Sequence, residues 1–225
     1  MKEKERSSDK IETELIRSIL AGVYSVGSTL PPERELAKKL GVGRPTIREA
    51  LQRLGRGGWI TGRKGMPAVV NDYWRKGNLT TLVNIVENLH TITDDFIMYL
   101  LELRSSLAPT YIRDAVTFNQ PKVVALLANL EQLEDSAEGY AAFDWDLQKR
   151  CAGLAVNPIF LLILNSFDSI YMDVAKKYFS VKEHRVLSFN YYHDLLNVAL
   201  KGDAMEAERL STSTMAKSLA LWKVR

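Results

Sequence analysis

Residues 30–60, LPPERELAKKLGVGRPTIREALQRLGRGGWI, decide how the rest of this 225-residue chain is read. Pro31 and Pro32 open a helix over ERELAKKL, because the N–H that proline lacks would have no intrahelical partner in a first turn. Leu36, Ala37 and Leu40 recur at the spacing of one helix face. Gly41-Val42-Gly43 then forces a tight turn, since glycine enters the left-handed backbone region without a Cβ clash. A further helix follows at once. Pro45 suits its first turn, Ile47, Ala50, Leu51 and Leu54 supply its buried face, and Gly55, Gly57 and Gly58 end it. Two short helices joined by a glycine turn allow the second to lie in the major groove of DNA, its N-terminal residues toward the base edges.

The flanking segments complete the unit. On the N-terminal side, Ser8 or Asp9 caps a helix whose apolar stripe is Ile11, Leu15, Ile16, Ile19 and Leu20, ending before Gly22 and Gly27. On the other side, Trp59 to Asn71 changes to β-favouring residues around Gly62-Arg63-Lys64-Gly65, the pattern of a short hairpin with a basic tip. That hairpin makes the expected architecture a winged helix-turn-helix. Asp72 to Asn78 reads as a linker, although its adjacent Tyr73 and Trp74 imply packing against a neighbour. The expected boundary falls near Gly77, with residues 1–76 forming a DNA-binding domain and 77–225 a second domain.

Charge divides the chain at the same place. Residues 1–76 carry 16 Lys or Arg against 9 Asp or Glu, whereas the remainder carries 14 against 18, so an overall +3 conceals a basic domain joined to an acidic one. A basic domain of this kind suits a polyanion such as double-stranded DNA. Cys151 is the only cysteine, which excludes an intrachain disulfide and a cysteine-based zinc cluster and points to a reducing compartment. The charged start MKEKERSSDK has no apolar core of a signal peptide, and the longest apolar run, Ile159 to Leu164, is too short for a bilayer. A cytoplasmic protein without a membrane partner is expected.

At the start of the second helix of the motif, Arg44, Thr46 and Arg48 point away from Ile47 and Leu51, so their donors face outward together. An arginine donates in bidentate fashion to O6 and N7 of guanine, and threonine approaches a thymine methyl or a phosphate. Arg34, Lys38, Arg53 and Arg56 are placed for phosphates. Lys64 and Gly65 at the wing tip suit a narrow minor groove, where a cation meets concentrated negative potential. The competing reading of the same arginines is a solvated basic face.

The stretch 30–60 resembles the DNA-binding signature of the GntR family, in which an L-P-x-E-R-E-L-A segment, a turn and R-x-T-[VI]-R-E-A-L follow one another. By that resemblance Arg34, Arg44, Thr46 and Arg48 occupy positions that family members use on DNA. Pro32 and Gly43 depart from the pattern, each replacing a serine that caps a helix.

Beyond the linker, prolines and glycines are sparse and the apolar period is that of helices, expected near 79–89, 94–117, 121–136, 139–154, 158–178, 182–201 and 203–222. An all-α domain follows, and the fold class is mainly α. The segments LELRSSLAPTYIRDA, FDWDLQKRCAGLAVNPIF and YYHDLLNVALKGDAMEAERL are similar to the helical effector domain of the FadR subfamily, which implies ligand binding and a homodimer. Many such domains hold a divalent metal through one Asp and three His. Asp144 and His193 match two of those positions, but Gln148 and the pair Thr214-Met215 stand where histidines are expected, so no metal is required. Asp144 and Asp146 otherwise read as solvated or capping carboxylates, and His193 as a histidine hydrogen-bonded inside the bundle. A bundle that keeps its helices but loses those ligands resembles the acyl-CoA-responsive regulators of the subfamily. The resemblance therefore implies a long-chain acyl-CoA effector, with Arg104 toward its polar part and Ser218 and Trp222 on a ligand-binding helix. A metal-dependent carboxylate sensor and a DNA-binding dimer without effector are the alternatives. No nucleophile with a base and no phosphate loop appears, so an enzyme is not expected.

Overall fold

The computed structural model describes residues 7–62, 66–88 and 93–223. The chain divides into two compact units, Met1–His90 and Thr91–Arg225.

In the first unit, α1 (Ser7–Leu20), α2 (Glu33–Leu40) and α3 (Arg44–Arg56) enclose a core of Leu15, Ile16, Leu36, Ile47, Ala50 and Leu54. Leu20, Leu40 and Leu51 are only half-buried. The turn forms as its glycines require: Gly41 adopts φ 66°, and its N–H closes α2 by donating to the Ala37 carbonyl. No side chain caps α2 or α3, in keeping with Pro32 and Gly43 at those positions. After α3, β1 (Ile60–Thr61) pairs antiparallel with β2 (Val69–Val70), Ile60 opposite Val70. Residues before α2 extend this ribbon, because Thr29 bridges Val69 and the Leu30 N–H donates to Ala68 at 2.8 Å. The wing tip, with Lys64 and Gly65, lies outside the described residues.

The expected linker is built into this unit. Gly58 has φ +76°, and a Cβ there would sit 2.3 Å from the Lys76 carbonyl oxygen, so only glycine lets the chain return so closely. Tyr73, in the four-residue helix α4 (Tyr73–Lys76), lays its ring 4.8 Å from that of buried Trp59. Asn78 donates to the Arg56 carbonyl at 3.0 Å, and the buried Thr81 hydroxyl donates to that of Gly57. Helix α5 (Leu79–Asn88) then packs on α1, where Arg17 donates to Asn88 at 3.0 Å. The sequence reading assigns α5 to the second domain; by its contacts it sits in the first unit, and the division falls at His90.

The second unit is a helical bundle around α6 (Asp94–Leu127), which packs against α11 (Ala204–Lys223), α7 (Ala137–Leu154) and α10 (Lys182–Lys201). Thr93 caps α6 by accepting the Phe96 N–H at 3.2 Å. Asn119, φ −142° and ψ 34°, kinks α6 two residues before Pro121, whose ring and missing N–H disrupt the helical turn that precedes it. The kink is held by its own side chains: Asn119 donates to the Leu154 carbonyl at 3.0 Å, and Gln120 to that of Ala199 at 2.8 Å. Two expected helices differ. The one near 121–136 stops at Leu127, with a 3₁₀ turn over Leu130–Gln132, and the one near 158–178 is two, α8 (Ile159–Asn165) and α9 (Asp168–Phe179).

Candidate DNA-reading face and effector cavity

Helix α3 buries Ile47 and Ala50 completely, and a helix turns by about 100° per residue, so Arg44 and Arg48, one turn apart, emerge together on a flank of the helix away from that buried face. Their side chains are 62% and 60% exposed. Thr46, between them in the first turn, is half-buried, and Arg34 and Lys38 are exposed on α2. Of the arginines singled out in the sequence, the structure brings Arg44 and Arg48 together. It also adds Glu33, which that reading leaves out. The Glu33 carboxylate accepts from Arg48 Nη2 at 2.9 Å and Nε at 3.3 Å, and lies 4.0 Å from Arg44 Nη2. The hydrogen bond from Arg48 holds the Glu33 carboxyl below its usual range.

Arg53 does not belong to this face. Its guanidinium binds Asp9, approaches Glu12 at 3.5 Å and donates to Glu49 at 2.7 Å, so it clamps α1 to α3 and is not free for phosphate. The cause lies in α1, whose acidic positions turn toward α3. Arg56, by contrast, is exposed at the C-terminal end of α3.

In the helical unit, α6, α7, α8 and α9 leave an apolar cavity of about 70 Å³, walled by Ile97, Leu101, Leu164, Val174 and Tyr178. Trp145 closes one side, its ring stacked 3.9 Å from Tyr171 and its indole N–H donating to Asp168 at 3.0 Å. Arg104 also reaches the cavity, but its guanidinium is committed. It donates to both oxygens of the fully buried Asp144, at 2.7 and 2.9 Å. Tyr171 and Tyr192 donate to the same carboxylate, Gln148 does so at 3.3 Å, and Tyr111 donates to Gln148 at 2.6 Å. Burial opposes the guanidinium charge, yet Asp144 overrides it and leaves the Arg104 pKa well above its ordinary value. Burial likewise pushes the phenols of Tyr111, Tyr171 and Tyr192 up, so they remain protonated donors. Within the Asp144 cluster, among the described residues, Arg104 Nε has no hydrogen-bond partner.

Asp144 is thus neither solvated nor a cap. Asp146, two residues on and on the opposite face of α7, is exposed and pairs with Arg150 at 2.8 Å. The metal positions suggested by the resemblance are not assembled either. His193 is 37% exposed, 3.9 Å from Glu131 and edge-on to Phe189, so it is not a histidine of the bundle interior. Its neighbour Tyr192 is the residue that α10 turns toward Asp144. With four donor groups on its carboxylate, Gln148 where an imidazole would stand and His193 at the surface, Asp144 does not fit a metal site. Among the described residues, no three His, Cys, Asp or Glu side chains gather as a metal-binding group. The histidine inside the bundle is His184, which donates from Nδ1 to the Tyr178 carbonyl at 2.7 Å and stacks on the Tyr178 ring at 4.2 Å.

Ser218 and Trp222 are buried on α11 but do not line the cavity. Both lie against Tyr178, which does: Ser218 beside its phenol, Trp222 with ring centroids 6.1 Å apart. The indole N–H of Trp222 donates to the Asp94 carbonyl at 3.1 Å, tying the end of α11 to the start of α6.

A basic winged helix-turn-helix followed by a helical bundle defines a DNA-binding transcription regulator, and the sequence comparisons agree. Residues 7–70 match the family described as bacterial regulatory proteins, gntR family, and residues 71–225 match the FadR C-terminal domain. The chain belongs to the GntR family, with a FadR-type C-terminal domain; it is a transcription regulator and not an enzyme. It is 37% identical over 212 residues to the fatty acid metabolism regulator protein of Shewanella halifaxensis (strain HAW-EB4), covering 94% of this chain and 89% of that one. With its counterpart in Shewanella amazonensis (strain ATCC BAA-1098 / SB2B) the identity is 38% over 216 residues, covering 94% and 88%. A solved structure titled for Lar, which controls expression of the Listeria monocytogenes agr system, shares the fold at TM-score 0.60 and 17% identity, over 98% of each chain. No helix among the described residues is long and apolar enough to cross a membrane.

Proposed function

We propose that the protein is a cytoplasmic homodimer that reads a palindromic operator with α3 and releases or engages it in response to long-chain acyl-CoA held in the helical unit. Arg44, Thr46 and Arg48 contact base edges, and Arg34, Lys38 and Arg56 contact phosphates. A recognition helix of this length covers only a few base pairs, so a two-fold pair of helices on two half-sites supplies the length a specific site needs. The observation that carries the DNA reading is the pair of outward guanidiniums at the start of α3, above a face whose Ile47 and Ala50 are fully buried.

For the effector, support comes from the cavity together with the named relatives. Its walls are apolar, as an acyl chain requires, and Arg104, paired with Asp144, stands at its edge as the polar group nearest the ligand. Ser218 and Trp222 complete the effector site through Tyr178. Entry of a long acyl chain is expected to part the helices that wall the cavity. A ligand that favours the parted arrangement shifts the population toward it, and the operator affinity of the protein changes by the same coupling.

Titration of palmitoyl-CoA into a complex of the full-length protein with fluorescently labelled operator tests this. A saturable change in anisotropy, absent with coenzyme A alone, is expected. Calorimetric heat without any change in DNA affinity would remove the regulatory step, and neither heat nor DNA release would leave a DNA-binding dimer without this effector.

A further inference from the structure

The two arginines of the reading helix are gathered by one carboxylate from the helix before it. We propose that Glu33 is a specificity-determining residue: it positions Arg48, and with it Arg44, for the base edges they meet on DNA. The inference rests on the reading that these guanidiniums contact bases.

An exposed arginine samples many rotamers, and fixing one on docking costs entropy. Glu33 removes part of that cost in advance. It engages Nε and Nη2 of Arg48, along one edge of the guanidinium. Of the five N–H donors, both of Nη1 and the second of Nη2 remain, and together they form the end of the fork that matches O6 and N7 of guanine. Arg44 Nη2, 4.0 Å from the same Glu33 oxygen, is drawn to the same spot. The Glu33 side chain is 30% exposed, and its carboxylate stands between two exposed cations, Arg44 and Arg48. For simple attraction to phosphates an acid there is unfavourable. Positioning and attraction therefore respond to its removal with opposite signs, which a purely structural role would not produce.

Full-length protein is measured against two duplexes of equal length, one carrying an operator selected from a random pool and one of mixed sequence. For Glu33→Gln, affinity for the mixed duplex should rise while the ratio of operator to mixed affinity falls about tenfold, with the Tm of the protein unchanged. Glu33→Asp, which keeps the charge but shortens the reach, should lower the ratio without raising the mixed-sequence affinity. In an Arg48→Ala background, where only the looser contact to Arg44 remains, Glu33→Gln should lower the ratio by much less than it does alone. An unchanged ratio for Glu33→Gln alone, or an equal fall in the Arg48→Ala background, overturns the proposal. So does a common loss of Tm and of both affinities, which would make Glu33 structural. If Arg44→Ala and Arg48→Ala themselves keep the wild-type ratio, base reading by α3 fails and the inference falls with it; if they lower it and Glu33→Gln does not, the inference alone fails.

Discussion

Two buried or half-buried charges show why an ionised side chain must be judged by its partners. Asp144 has no exposed surface and survives there because Arg104 neutralises it while Tyr171, Tyr192 and Gln148 satisfy its lone pairs. Removing one member of such a pair strands the other in a medium that solvates it poorly. Asp144→Ala should cost about 3–5 kcal/mol of unfolding free energy, read from urea denaturation. A cost below about 1 kcal/mol would show that water reaches the site. Arg53 is the milder case, a clamp between α1 and α3 with 28% of its side chain exposed. Arg53→Ala should lower the stability of the first unit by about 1 kcal/mol and leave the salt dependence of DNA binding unchanged. A shallower salt slope would instead return Arg53 to the phosphate contacts. Arg56→Ala, in contrast, should weaken binding to all sequences alike.

At the scale of elements, the positions with one conformational solution were legible. Gly41 had to turn, Pro45 had to start a helix, and the spacing of Ile47, Ala50 and Leu54 named the inner face of α3, which in turn named its outer arginines. What stayed hidden depended on tertiary neighbours. The run IFLLILN carries no polar phase, so periodicity could not mark the break after Asn165 that separates α8 from α9. Arg104 and Asp144 lie forty residues apart, and nothing local to either announces the other. Tyr73 hinted that the linker packs, but Gly58 shows how: its left-handed backbone and the approach of Lys76 leave no room for a Cβ. Gly58→Ala should therefore destabilise the first unit by more than the roughly 1–2 kcal/mol of left-handed strain alone, measured by thermal unfolding. Unchanged stability would mean that the linker is not seated against α3.

For the whole molecule, the division of labour follows from charge and cavity. The basic face of the first unit predicts that operator affinity falls steeply and linearly in log–log form with salt, as counterions are released; indifference to salt would contradict it. The response proposed for the helical unit is a change in helix arrangement when an acyl chain enters its apolar cavity. Regulation by a FadR-type domain then needs no chemistry beyond a difference in affinity between two arrangements of helices.

The central claim is that guanidiniums on α3 read base sequence. Iterative selection of duplexes from a random pool, run in parallel on the wild type and on Arg48→Ala, tests it most directly. The wild type should enrich a single palindromic motif, and Arg48→Ala should lose preference at one symmetric position in each half-site. Enrichment of no motif by the wild type, or of the same motif undiminished by Arg48→Ala, would contradict the account.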